Sequence, residues 1–175
     1  MPRPLPSLTP LPLQRRRDPF DHRDWLFELK LDGFRALAYI EHGEGRLVSR
    51  NGNTFKRFGP LAAEIAVTFG SVRNAILDGE VVCLDHDGRP LFNALLYRRT
   101  APCFVVFDCL WLDGRDLRDL PLIERKRVLR RIIPDKPACG ICLTFSGAAW
   151  TSSPRWCSGT SKASSPSSSR LRTAS

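Results

Sequence analysis

Phe27-Glu28-Leu29-Lys30-Leu31-Asp32-Gly33-Phe34-Arg35-Ala36-Leu37 sets one lysine between two carboxylates, with a glycine and an arginine close behind. Alternating apolar and polar side chains predict a half-buried strand here. Glu28, Lys30 and Asp32 fall on one face and Phe27, Leu29 and Leu31 on the other. A charged trio on one face marks a pocket or a wet surface, and a lysine so placed suits a nucleophile. The plainer alternative is a strand that ends in an Asp-Gly turn. Asp-Gly recurs at Asp78-Gly79, Asp87-Gly88 and Asp113-Gly114, each of which reads as a hairpin turn.

Outward from this stretch, strand-like runs are expected at 25–31, 34–40, 46–49, 75–84 and 103–112, separated by turns such as Glu41-His42-Gly43-Glu44-Gly45. Two helices are expected, at 60–68 with Pro60 in the first turn and at 121–132 opened by Pro121. On the second, Leu122, Ile123, Val128, Leu129 and Ile132 form the apolar side. Short turns between most strands and few helices argue for a mainly antiparallel α+β domain. Residues 1–18, rich in proline and arginine, read as an extended lead-in lying over the surface. The folded body is expected over 19–135. From 136 onward the character changes: Ala138 to Ser175 holds 11 serines and no acid, and reads as disordered or as sequence not selected to fold.

Composition narrows the function classes. A chain of 175 residues with 42% hydrophobic content can form a core without a disulfide framework. The one close cysteine pair, Cys139 and Cys142, lacks the second pair or neighbouring histidine of a zinc site. His22, His42 and His86 form no ligand spacing. There is no 18-residue apolar run and no signal-like N-terminus, so a cytoplasmic protein without a membrane segment is expected. The net charge of +9 is unevenly spread, because five basic residues lie after Asp135, where no acid occurs. Residues 1–135 carry 22 basic and 18 acidic side chains, a mild excess that permits contact with phosphate backbones without requiring it.

Four separated segments, taken together, are far more specific than any one. They are the Phe27–Leu37 stretch around Lys30, Ser49-Arg50-Asn51-Gly52, Leu77-Asp78-Gly79-Glu80-Val81-Val82 and Phe104-Val105-Val106-Phe107-Asp108. In order, they resemble the nucleotidyltransferase motifs of ATP-dependent DNA ligases. The run from Leu112 to Lys126 resembles the bacterial ligase D type, which serves double-strand break repair. The resemblance covers roughly 19–135. It implies an incomplete, ATP-grasp-like nucleotidyltransferase domain, mainly antiparallel, with ATP and Mg²⁺ or Mn²⁺ as cofactors. Nicked or broken double-stranded DNA is the implied partner, with the end-binding protein Ku a candidate. A bacterial location in the cytoplasm, at most associated with the nucleoid, goes with it.

By the same resemblance Lys30 attacks the α-phosphate of ATP and keeps AMP through a phosphoramidate bond. Glu28 accepts a hydrogen bond from the adenine amino group, and Leu29 lies against the nucleotide. Arg35 and Arg50 hold the nucleotide or the nick phosphate, Glu80 contacts the ribose and Phe107 stacks on the adenine. Asp32, Gly33 and Asp78 support these motifs, and no metal ligand is assigned. A lysine with an ordinary pKa of about 10.4 is almost wholly protonated at neutral pH, so the pocket has to favour its neutral form. Glu28 and Asp32 pull the other way. Bound nucleotide and metal are therefore expected to complete the activation.

The later Glu-Gly metal motif, the Lys-x-Lys motif and an oligonucleotide-binding domain are not found, which suggests a truncated form. Thr160 to Ser167 can be encoded by codons that, read from the third base, give Ile-Glu-Gly-Ile-Val-Ala-Lys, so a frameshift between about Gly140 and Ala149 is one account of the tail. Other function classes stay open: an RNA ligase or capping-type nucleotidyltransferase, and an inactive ligase-derived relic.

Overall fold

The computed structural model describes residues 5–10, 28, 30–134 and the backbone of 141–143. Strand β1 (Phe34–Glu41) turns at His42-Gly43 into β2 (Glu44–Ser49). His42 and Gly43 both have positive φ, 52° and 80°, as a two-residue hairpin of the right twist requires. A 3-10 turn (Lys56–Phe58) leads into helix α1 (Gly59–Thr68), which carries proline at its start. Strand β3 (Asn74–Val82), a short helix α2 (Phe92–Leu96) and β4 (Cys103–Leu112) follow. The two-residue β5 (Arg115–Asp116), helix α3 (Leu122–Ile132) and β6 (Ile141–Leu143) complete the chain order.

The sheet runs β2-β1-β3-β4-β5, antiparallel throughout, and β6 pairs with β4 in parallel. The mainly antiparallel α+β expectation therefore holds. Alternation sorts β1 between two layers. Ala36, Ala38 and Ile40 pack with Leu61, Ala62 and Ile65 of α1 and Leu129 of α3. Leu37 and Tyr39 face the other way, where Val48, Ile76 and Leu110 meet Leu8 of the lead-in. Leu8 N–H donates to the Tyr39 hydroxyl at 2.8 Å, so at least this part of the lead-in docks through a specific contact.

Several expectations change. Glu28, Lys30 and Leu31 are not in a strand, although their pattern alternates. The register shows why: Phe34 opposes Val81 and β3 ends at Val82, so the residues before Gly33 run past the end of the neighbouring strand. Trp25, Phe27 and Leu29 lie outside the described residues. Asp78-Gly79 is not a turn but the middle of β3, whereas Asp113-Gly114 (φ 48° and 90°) and Asp87-Gly88 (Gly88 φ 78°) do lie in turns. Helix α2 was not anticipated; five residues are too few to establish a period. On α3, Ile123 is 45% exposed while Arg125 and Lys126 are buried, because both charges find partners beneath the helix. Beyond the boundary expected at 135, Ile141–Leu143 aligns with Phe104–Val106. The Cys139–Cys142 pair, the rest of the tail and the reading-frame account lie outside the described residues.

Candidate nucleotide site

The candidate site lies on the sheet face opposite α1. Arg35 opposes Glu80 across β1 and β3, and Asp78 lies two residues before Glu80, so alternation puts all three on one face. Asp78 is 1% exposed. It accepts two hydrogen bonds from Arg35, Nε to Oδ1 at 3.1 Å and Nη2 to Oδ2 at 2.9 Å, the forked geometry that suits arginine and carboxylate. Burial raises the Asp78 pKa, and the Arg35 contact only partly offsets it. Arg35 is itself pulled down by burial, but Asp78, Glu80 and Glu28 outweigh that and raise its pKa, so its charge is secure.

Phe107 enters the site through a break in the ladder. Asp78 opposes Asp108 while Gly79 opposes Val106, which leaves Phe107 as an extra residue on β4. Such a bulge re-aims a side chain. Phe107 is partly exposed, lines the cavity rather than the core, and lies under the Arg35 guanidinium at 5.3 Å from the ring centroid. Gly79 makes the close strand approach possible, since a Cβ there would stand 2.5 Å from the Val105 carbonyl oxygen and 2.4 Å from the Phe104 ring.

Lys30 is exposed, and its Nζ donates to Asp32 Oδ1 at 2.5 Å. That contact raises its pKa above the ordinary lysine value, so the ammonium form dominates at neutral pH. Glu80 is also shifted upward, first by burial, although it accepts a hydrogen bond from the Gly33 N–H. Gly33 has to be glycine for space: a Cβ would stand 2.3 Å from the Val81 carbonyl oxygen and 2.7 Å from Val82 Cγ1. Arg50 sits in the turn after β2, where Gly52 N–H closes on Ser49 O at 2.9 Å and Asn53 N–H on Ser49 Oγ at 3.1 Å.

One cavity brings together Glu28, Lys30, Asp32, Gly33, Arg35, Arg50, Glu80 and Phe107, which the sequence had placed in four separate segments. Asp78 stands behind it as the anchor of Arg35, and Leu29 is outside the described residues. Phe34, Phe55, Phe92, Asn51, Asn53 and Pro10 also line the cavity and had drawn no role from the sequence. The most consequential omission is Lys126. From α3 its Nζ donates to Glu28 Oε1 at 2.5 Å and to the Phe107 carbonyl at 2.8 Å, holding the segment before Lys30 to the bulge. In the sequence it only closed the Leu112–Lys126 run and drew no role of its own. Beside it, Arg125 donates from Nε and Nη2 to buried Asp108 and from Nη1 to the Leu120 carbonyl, which fixes α3 against β4.

The cavity can therefore offer an aromatic platform, two arginines and a lysine flanked by carboxylates, a set suited to a planar base and an attached polyphosphate. Among the described residues one carboxylate–imidazole cluster occurs, Asp85-His86-Asp87, away from this cavity's lining, but it lies in a turn where Asp85 already accepts N–H groups from Asp87 and Arg89.

Comparison with known proteins identifies the family and the fold. A family model described as the ATP dependent DNA ligase domain matches residues 12–142. The multifunctional non-homologous end joining protein LigD of Pseudomonas aeruginosa is 38% identical over 115 residues, covering 63% of this chain and 14% of the relative. Among solved structures, the ligase domain of LigD from M. tuberculosis superposes with a TM-score of 0.57 at 35% identity, covering 62% of this chain and 36% of that one. A mycobacterial DNA ligase D complexed with ATP and MES gives 0.54, also at 35% identity, over 59% and 35%. The chain thus spans a minor part of these relatives. The match over 12–142, the antiparallel sheet and the lysine between carboxylates agree: this chain belongs to the ATP-dependent DNA ligase domain family and carries part of its nucleotidyltransferase fold.

Proposed function

We propose that this chain performs the first step of ATP-dependent strand joining, transfer of AMP from ATP to Lys30. The observation that carries this reading is the convergence of Glu28, Lys30, Arg35, Arg50, Glu80 and Phe107 on one cavity. Lys30 Nζ, once neutral, attacks the α-phosphorus. A nitrogen–phosphorus bond forms, the bond to the bridging oxygen breaks, and pyrophosphate leaves with the electron pair while the lysine nitrogen passes one proton to water.

Phe107 offers its ring to the adenine, for which Arg35 has to move off or share the face. Glu28, oriented by Lys126, accepts from the adenine amino group, with Leu29 alongside. Glu80 meets the ribose, and Arg50 contacts phosphate from its turn. Asp32 and Glu80 both face Lys30, and the charge of Asp32 adds to the cost of ionising Glu80, an oxygen donor set that fits Mg²⁺ or Mn²⁺. Such an ion would neutralise phosphate charge and offset the Asp32 contact that keeps Lys30 protonated. In the complete reaction AMP passes to the 5′-phosphate of nicked or broken double-stranded DNA in end joining, with Ku as the end-binding partner and the cytoplasm as the setting. No helix among the described residues is long and apolar enough to cross a membrane.

The test is intact-mass spectrometry after incubation with ATP and Mg²⁺. The expected result is an added AMP that disappears in Lys30→Ala. A folded protein that binds ATP yet gains no mass would reassign the chain as a nucleotide-binding protein without transfer.

A further inference from the structure

Next to the nucleotide cavity, Arg57, Arg98 and Arg99 line a second depression together with Phe58, Leu95 and Thr100. All three arginines are exposed, and among the described residues no ion pair engages them. Unneutralised arginines gathered on one surface repel one another unless an anion joins them.

Two details separate this group from an ordinary solvated face. Arg57 is held in place, its guanidinium over the rings of Phe34 at 4.5 Å and Phe58 at 4.4 Å. Stacking occupies the flat face of the guanidinium and leaves its in-plane N–H donors for a phosphate. Phe34 also lines the nucleotide cavity, so this aromatic cluster is the wall between the two depressions. Secondly, Arg98 has φ of 55° directly after α2 and its cap residue Tyr97. Arg99 N–H closes on Ala94 O at 3.0 Å, the bond of a helix end that normally places glycine in the left-handed position. A bulky residue there is strained, and strain kept at a surface position points to use of the side chain.

We infer that Arg57, Arg98 and Arg99 form a contact site for the sugar-phosphate backbone of the DNA strand that approaches the nucleotide cavity across α2. The inference rests on the ligase reading for its choice of DNA. The shared chemistry, a phosphate anion, could also come from released pyrophosphate. The mild basic excess of residues 1–135 favours a polyanion, because it attracts without needing a base-specific contact.

The experiment measures anisotropy of a labelled nicked duplex with the full chain across a salt series, for the parent, Arg98→Gly and the double variant Arg98→Gly/Arg99→Gln. Arg98→Gly is expected to melt at the same or a higher temperature, because glycine relieves the strained backbone. The double variant should bind at least tenfold more weakly, with a salt slope shallower by about one for each lost phosphate contact. Parental affinity and slope in a folded double variant would overturn the inference. So would inorganic pyrophosphate that binds the parent and not the double variant while duplex affinity and salt slope are the same in both, since the site would then serve the free anion. Formation of the AMP adduct is read on the same samples. Adduct without arginine-dependent binding defeats this inference alone; arginine-dependent binding without adduct defeats the transfer reading and leaves this one standing.

Discussion

Replacing Asp108 tests how α3 is held against the sheet that carries the site. Asp108 is 5% exposed and Arg125 6%. Arg125 Nε reaches Oδ1 at 2.9 Å and Oδ2 at 3.1 Å, and Nη2 reaches Oδ2 at 2.7 Å. Asp108 Oδ1 also accepts the Cys109 N–H at 2.8 Å. Asp108→Leu, close in shape, leaves a buried guanidinium with only the Leu120 and Arg118 carbonyls and orphans the Cys109 N–H. Removing one member of a buried ion pair costs about 3–5 kcal/mol, and Arg125→Met should cost a similar amount. The double variant leaves neither charge of this pair behind. Its remaining cost is the unsatisfied N–H, about 1–3 kcal/mol. Urea unfolding of the four proteins, with slopes compared to confirm two-state behaviour, gives these values directly. Singles that each cost less than about 1 kcal/mol, or a double variant that costs their sum, would refute the view that this pair is buried and mutually dependent.

Gly33→Ala should destabilise the fold by about 1–3 kcal/mol, since the Val81 backbone cannot move far enough to admit the methyl group. It should also slow adduct formation by about a hundredfold through misplacement of Lys30, checked by timed mass spectra on protein still folded. Lys126→Met, which removes the donor to Glu28 and to the Phe107 carbonyl, should raise the ATP concentration for half-maximal adduct rate about tenfold, with a smaller effect at saturation. An unchanged ATP dependence would assign Lys126 to stability alone. The sign for Lys30 follows from its raised pKa: the neutral amine is scarcer at every pH below it. Adduct formation at limiting ATP should therefore climb with pH through 7–9, about tenfold per unit. Asp32→Asn, by removing the main cause of the rise, should move the profile to lower pH even if the plateau falls; a profile left in place counts against the Lys30–Asp32 contact as its cause.

By itself the sequence determined most of the strands, both longer helices and the motifs whose residues converge on the cavity, though not Lys126 or the added aromatic lining. Strand alternation and short turns are local properties, and the four motifs each sit within a few residues, so one sequence is enough to read them. Where local reading misled, a neighbour decided. The Lys30 segment alternates like a strand, yet the register of β1 on β3 carries it beyond the last available partner. Asp78-Gly79 has a turn's composition, but Gly79 is needed where β4 comes close and Asp78, itself buried, is needed to anchor Arg35. Arg125 and Lys126 look like solvated charges on α3, and only the packing of that helix over β4 shows them buried against Asp108 and Glu28. The bulge that turns Phe107 into the cavity and the αL backbone of Arg98 were equally invisible. Each depends on which segments meet in space, and residues 98 positions apart, such as Glu28 and Lys126, share no local signal from which that meeting could be read.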